Sequence, residues 1–272
     1  MTDYAVDYEK LLRLFVKVVQ SSVPDFSDEI EWRNCSHAIA YKLYRHLLTM
    51  GELCGVRQDK WTLDDYVDIG SVKVLERSIF ENYLVFSHIY RGGDLSLSSL
   101  RYDIWKYCGL MSRQNFKPET SKFENQIETE KLQAQILWSK IIASPLFVSY
   151  NKKQQTRLHE GDWLGINKMS LLADEAGLRF FYNKIYRHTS GYGHSGYIAV
   201  LQTSQSRDPQ IQSQLAEIGL ATGLVVMTHF LSIICSLSVI AKEALDSDAE
   251  THELFEKWYF NEASWNVAVS RD

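Results

Sequence analysis

The run from Ile218 to Ala241 is overwhelmingly apolar and long enough to cross a bilayer, so the first constraint on this chain is where that surface goes. Its few polar residues share one stripe, a pattern expected of a core helix rather than of a membrane span. Thr222, His229, Ser232 and Ser236 are separated by 7, 3 and 4 residues, which lines them along one stripe of a helix. The flanks carry no Lys or Arg cluster, and the trailing Asp246, Asp248 and Glu250 are acidic, opposite to the usual cytoplasmic flank. A buried central helix is expected, with no membrane span.

The rest of the chain reads as helices to pack around it. Leu11, Leu12, Phe15, Val18 and Val19 share helical spacing between Tyr4 and Gln20. A second helix is expected to open at Ser27, with Asp28 and Glu29 in its first turn, and to stop at Gly51 as its C′ residue. Thr62 and Asp65, after Trp61, resemble a capping pair, and a third helix runs from Ser71 to the break at Gly92 and Gly93. Helices follow over 94–115 and 119–143, then an irregular stretch over 144–162 in which Phe147, Val148 and Tyr150 form a weak strand candidate. Two shorter helices, 167–175 and 178–190, are separated by Gly177, and a loop over 191–207 leads into the long apolar helix, 210 to about 245. A final amphipathic helix is expected near 252–265. All four prolines, Pro24, Pro118, Pro145 and Pro209, fall between these segments, as their missing N–H requires. The expected fold is all-α, a multi-helix bundle of about eight to nine helices around the long apolar C-terminal helix. It is read as a single helical domain over 1–272, with a subdivision near 145 as the alternative.

A hydrophobic content of 45% supports a real core without staples. Cys35, Cys54, Cys108 and Cys235 are scattered without metal-ligand spacing, and the N-terminus lacks a basic segment followed by an apolar one; a reduced, cytoplasmic protein is expected. A net charge of −5 argues against broad adhesion to nucleic acid. Basic character is local: between Lys152 and His194 seven Lys or Arg stand against four Asp or Glu. His159, Glu160 and Asp162 sit too close together to converge on a metal without a third element and read as a solvated loop, so no metal or cofactor is expected.

The densest chemistry lies in Tyr186–His194. Arg187 and His194 are seven residues apart, about two turns and nearly one face if the helix continues. A guanidinium fork suits phosphate oxygens, and an imidazole moves protons near neutral pH. Together they form a minimal site for an RNA phosphodiester, in which the neighbouring 2′-hydroxyl is the nucleophile. Gly191 and Gly193 interrupt that continuity and favour a helix end at Ser190. Under the structural alternative Arg187 caps or salt-bridges, His188 faces solvent and His194 is a satisfied core histidine. On the third helix Arg77 and Glu81 are one turn apart on a helix apolar around most of its circumference, which suggests a desolvated ion pair or, functionally, a Glu81 that orients Arg187 or His194. Tyr182, Tyr186 and Tyr192 read as amphipathic packing or as stacking surfaces for bases.

The Arg-x6-His spacing, with polar His188 directly after Arg187, resembles the Arg-x4-6-His motif of the HEPN superfamily, helical-bundle proteins that include metal-independent ribonucleases of toxin and antiphage systems. More broadly, Arg77-x3-Glu81 together with Tyr186-Arg187-x2-Ser190-x3-His194 resembles an uncharacterised family of helical bacterial proteins. The HEPN resemblance implies Arg187 and His194 as the catalytic pair, supported by His188 and Ser190, and a homodimer that brings two pairs together. The rival expectation is a non-catalytic binding or regulatory module whose cluster is structural or holds a small anionic ligand.

Overall fold

The computed structural model describes residues 3–26, 30–56, 67–194, 196–205 and 208–260, with the backbone alone at Arg187. Among them the chain is all-helical, without a strand, and it divides into two compact units: Met1–Ser87 with Ala173–Asp272, and His88–Leu172. Residue 145 lies inside the second unit.

The first unit is organised by the long apolar helix. With α1 Tyr4–Ser21, α2 Glu31–Leu53, α3 Ile69–Tyr90, α4 Leu95–Arg113, α5 Ser121–Ala143, α6 Lys152–His159, α7 Trp163–Ile166, α8 Met169–Glu175, α9 over 179–190 and α10 Tyr197–Gln205, the apolar helix is α11, Pro209–Leu237; α12 Val239–Asp246 and α13 Ala249–Trp258 follow. Asp208 caps α11 by accepting from the Gln210 N–H at 2.8 Å, and Pro209 occupies a first-turn position where its missing N–H costs nothing. The most apolar 18-residue window of α11 has mean hydropathy 2.0 and is 78% buried. By length and composition alone it passes the test for a membrane span; its side chains face protein.

Burial of α11 depends on close approach. Gly223 leaves room for Tyr8 of α1, since a Cβ there would stand 2.6 Å from the Tyr8 ring and 2.9 Å from the Met50 methyl of α2. Gly219 does the same for Val72 of α3, at 2.8 Å. Phe230 then stacks on Phe86 at 3.7 Å between centroids and tilts against Phe15 at 5.3 Å. Tyr8, fully buried, donates its hydroxyl to the Leu47 carbonyl at 2.8 Å, so the polar tip of a core aromatic is satisfied.

The buried part of the polar stripe of α11, Thr222 and His229, is partnered from within, while Ser236 is exposed and donates to the Ile233 carbonyl of its own helix. Thr222 donates to Glu76 Oε1 at 2.7 Å, and His229 Nε2 lies 2.8 Å from the Phe260 carbonyl. Glu76 in turn accepts from Lys73 Nζ at 2.8 Å; both side chains of this pair are almost wholly buried, at 0% and 1% exposure. The ion pair concealed in α3 is therefore Lys73–Glu76, while Arg77–Glu81, expected to be desolvated, keeps 24% and 31% of its side-chain surface in solvent. The reason is phase: Lys73 and Glu76 lie on the stripe of Val72, Ile79, Phe80 and Tyr83, and Arg77 lies beside Val74, which is exposed.

Within the second unit α4 and α5 form an antiparallel hairpin. Asp94 caps α4 and Thr120 caps α5, each through its side-chain oxygen. Trp138 of α5 packs against Tyr107, Phe147 and His159, and the Tyr107 hydroxyl donates to the His159 carbonyl at 2.8 Å.

Several sequence expectations are corrected. The helix number, thirteen among the described residues, exceeds eight to nine because short segments arise where none was read. The stretch 144–162 contains α6, whose Asn151–Gln154 capping box is a helix start, and the strand candidate at Phe147 is a 3₁₀ turn, Pro145–Ser149. The loop expected over 191–207 contains α10. Gly51 does not end α2; it lies inside the helix against Tyr8, and Gly55, at φ 75°, takes the left-handed conformation beyond the helix end. The long helix stops at Leu237 because Ser238 turns extended, donates to Asp25 Oδ2 at 2.6 Å and caps α12 by accepting from the Ala241 N–H. The capping pair at Thr62 and Asp65, the start at Ser27 and the last residues of the expected 252–265 helix lie outside the described residues.

Two outcomes follow from this packing. Gly223→Ala is expected to cost about 1–3 kcal/mol, the range for overpacking a dense core, read from the denaturant midpoint; an unchanged midpoint would contradict the close contact with Tyr8. Lys73→Met leaves the Glu76 carboxylate buried without its cation and is expected to cost about 3–5 kcal/mol, with most of that loss recovered in Lys73→Met/Glu76→Leu.

Candidate functional site

Four of the residues singled out in the sequence meet in the first unit. Arg77 and Glu81 project from one face of α3, because residues four apart on a helix are neighbours, and Arg77 Nε donates to Glu81 Oε1 at 2.8 Å. The remaining arms of the guanidinium reach α9: Nη2 donates to the Tyr186 hydroxyl at 3.0 Å and Nη1 to Ser190 Oγ at 3.2 Å. Tyr186 passes the bond on, donating its own hydroxyl to Glu81 Oε1 at 2.9 Å. One carboxylate, one guanidinium and one phenol thus form a closed triangle, with Ser190 attached. The Arg77 carbon centre also lies 4.9 Å from the centroid of the Tyr186 ring.

This arrangement depends on an irregularity in α9. Between the α-helical segments Arg179–Phe181 and Arg187–Ser190 the helix widens to a π turn, Tyr182–Tyr186, which accommodates one extra residue. The widened turn brings Tyr182 and Tyr186 into a stack, 4.6 Å between centroids at 19°. Phe181 stays anchored in the core against Phe80, 5.3 Å away, so the helix is held on one side by apolar contact and on the other by Arg77.

The electrostatics agree with the geometry. Burial and then the hydrogen bond to Glu81 push the Tyr186 hydroxyl up to about 12, so it is a neutral donor across the physiological range. Partial burial opposes the charge on Arg77, but the bond and attraction to Glu81, with Tyr186 beside it, hold the guanidinium above its ordinary value.

The remaining expected site residues are placed separately. His188 is exposed on α9, its ring edge-on to Tyr192 at 5.9 Å. Helix α9 ends at Ser190 as Gly191 and Gly193 suggested, yet Gly191 keeps helical dihedrals, φ −63° and ψ −28°, and the chain tightens into a 3₁₀ turn, Tyr192–His194, that leaves His194 exposed. That turn approaches the triangle: a Cβ on Gly193 would stand 4.0 Å from Arg77 Nη1. Tyr192 is tied down by donating to Gln202 Oε1 of α10 at 3.0 Å. Arg187 lies on the last α-helical segment; its side chain is outside the description. No group of three His, Cys, Asp or Glu suited to a metal occurs among the described residues; in the second unit Asp162 caps α7, accepting from the Gly165 N–H at 2.8 Å.

The Lys73–Glu76–Thr222 contact was missed in the sequence. Its signal was present, since opposite charges three apart on a mostly apolar helix require each other when buried. The nearer pair Arg77–Glu81 drew that reading instead.

Glu81→Gln is expected to move the Tyr186 hydroxyl down from about 12 towards its ordinary value, because the carboxylate that resists phenolate formation is gone. Residue-resolved tyrosine titration by NMR checks this, and a Tyr186 titration unmoved by the substitution would refute the triangle.

Residues 63–210 match the model of a family described as "Family of unknown function (DUF5677)". No curated protein and no solved structure matches the chain. The matched span runs from before Arg77 through the turn at His194 and so contains every member of the cluster. It covers more than half of the 272 residues, and the chain belongs to DUF5677, a family whose function is unknown.

Proposed function

We propose that this chain is a HEPN-like, metal-independent ribonuclease, a toxin or antiphage effector acting in the cytoplasm, in which Arg187 and His194 act on an RNA phosphodiester. In this reading the RNA's own 2′-hydroxyl attacks the adjacent phosphorus. His194 takes the hydroxyl proton or delivers one to the departing 5′-oxygen, and the products are a 2′,3′-cyclic phosphate and a 5′-hydroxyl end. Arg187 holds the non-bridging oxygens as negative charge grows on them, assisted by His188 and Ser190. Arg77, Glu81 and Tyr186 are positioning residues for the end of α9.

The observation that carries the reading is the exposed His194 imidazole on a short turn directly after a helix end that three hydrogen-bonded side chains fix in place. A proton-transfer group needs access, and the exposure of His194 is consistent with that.

A second reading has its own support. The Arg77 guanidinium is occupied by Glu81, Tyr186 and Ser190, as in a purely structural clasp, and this favours a non-catalytic binding or regulatory module in which the cluster is structural.

Cleavage of varied RNAs in the presence of a chelator separates the two. His194→Ala is expected to lower the rate about 10²–10⁴-fold, the usual contribution of a general acid or base, and Arg187→Ala about 10²–10³-fold, with the fold retained by circular dichroism. An inactive wild-type chain, or full activity in both variants, leaves the binding reading.

A further inference from the structure

We propose that a cleft in the second unit, between α4 and the turn that joins α6 to α7, is a binding site for a small aromatic carboxylate. The site belongs to this unit alone and owes nothing to the ribonuclease reading.

The cleft encloses about 450 Å³, within the roughly 300–1,000 Å³ of small-molecule sites. One wall is a single face of α4: Tyr102, Trp105, Lys106 and Gly109 follow the i, i+3, i+4, i+7 spacing that sets side chains on one side of a helix. The other wall comes from the turn and the start of α7, where Trp163 is buried and set edge-on to His88 at 6.0 Å. The two walls are tied together. Tyr107 of α4 donates its hydroxyl to the His159 carbonyl at 2.8 Å, and Gly161, at φ 79°, brings the turn so close to α4 that a Cβ there would stand 2.7 Å from the Met111 Cβ.

Packing explains Gly161 but not Gly109. Glycine is a poor residue inside a helix, yet a Cβ on Gly109 would meet nothing within 4 Å. No neighbouring part of the protein requires the missing side chain. Its absence deepens the cleft and lets a ligand lie against the α4 backbone.

The lining selects the ligand. Three aromatic rings, Tyr102, Trp105 and Trp163, suit a flat ring that packs against them offset or edge to face. Aromatic walls also attract cations, but Lys106 lines the same cleft and repels one. Among the described lining residues the one carboxylate, Asp162, is engaged elsewhere: it accepts from the Gly165 N–H at 2.8 Å and lies 3.7 Å from Arg157 Nε. Residues 88–172 as a whole carry twelve Lys or Arg against eight Asp or Glu, which favours an anion. A single lining cation matches the one negative charge of a carboxylate rather than the nearly double charge of a phosphate ester. Burial pushes the Cys108 thiol in the lining up to about 12, so it stays protonated and the ligand is held rather than modified.

Isothermal titration calorimetry of the full chain with 2-naphthoate tests this. One site per chain, saturating below ~1 mM, is expected. Cyclohexanecarboxylate, equal in charge but not aromatic, and 2-naphthamide, equal in shape but neutral, should each bind at least ~10-fold more weakly. Lys106→Gln should remove the preference for naphthoate over naphthamide, and Trp105→Leu should weaken naphthoate about 10-fold. Gly109→Leu should abolish binding by filling the cleft while helical circular dichroism is retained, because leucine favours the helix and its Cβ enters open space. No saturation by 2-naphthoate up to ~1 mM, or binding undiminished in both Gly109→Leu and Trp105→Leu, overturns the site. Adenosine monophosphate binding more tightly than 2-naphthoate overturns the carboxylate assignment. A chain that binds naphthoate and leaves RNA intact sinks only the enzymatic reading.

Discussion

Disposal of the apolar surface of α11 is the constraint from which the first unit follows. A helix with mean hydropathy 2.0 in its central window has no stable place in water, and at roughly 25 cal/mol per Å² its burial is the dominant favourable contribution to this unit. Surrounding it closely requires α1, α2 and α3 to approach its backbone, and the chain achieves this with Gly219 and Gly223 at the crossing points. The same closeness leaves Thr222 without water, and its hydroxyl is shared between the Ile218 carbonyl of its own helix and the Glu76 carboxylate. Glu76, buried, in turn needs Lys73. The face of α3 that covers the apolar helix thus encloses a polar chain that ends in a concealed ion pair.

The polar cluster at the other side of α3 obeys different physics. Arg77 and Glu81 are partly hydrated, so their attraction is screened and contributes little by itself. Its value is geometric. A planar guanidinium presents donors in fixed directions, and here three acceptors on two helices occupy them, which fixes both the rotation of α9 and the level at which its last turn ends. A lysine at position 77 would supply the charge without the directional fork.

Much of this was legible in the amino-acid sequence, for identifiable reasons. Helices α1, α3, α4 and α5 were readable to within about two residues because their segments are long and helical in pattern; the caps at Asp94 and Thr120, which set the true starts of α4 and α5, were read as part of the helices. The grouping of Arg77, Glu81, Tyr186 and Ser190 was visible as two short motifs, although their contact across more than a hundred residues was not. What escaped were features set by one or two side chains: the Asn151–Gln154 box that starts α6, the Ser238 turn that divides the C-terminal apolar run, and α10, whose exposed Tyr197, Ile198 and Val200 give no clean amphipathic signal. The exchange of a buried role between Arg77 and Lys73 is a matter of helical phase, about 40° for a shift of four residues, finer than hydrophobic periodicity resolves.

The widened turn at Tyr182–Tyr186 gives α9 a local tolerance in length. A π turn holds one residue more than α-helical winding requires, so removing one of Asn183, Lys184 or Ile185 would let the segment relax to ordinary winding without unravelling. Phe181 would remain seated on Phe80, and the segment that carries Ser190 would keep its facing towards Arg77, because only the surplus residue is lost. The same deletion in a regular turn would rotate everything downstream by roughly 100° about the helix axis and open the clasp.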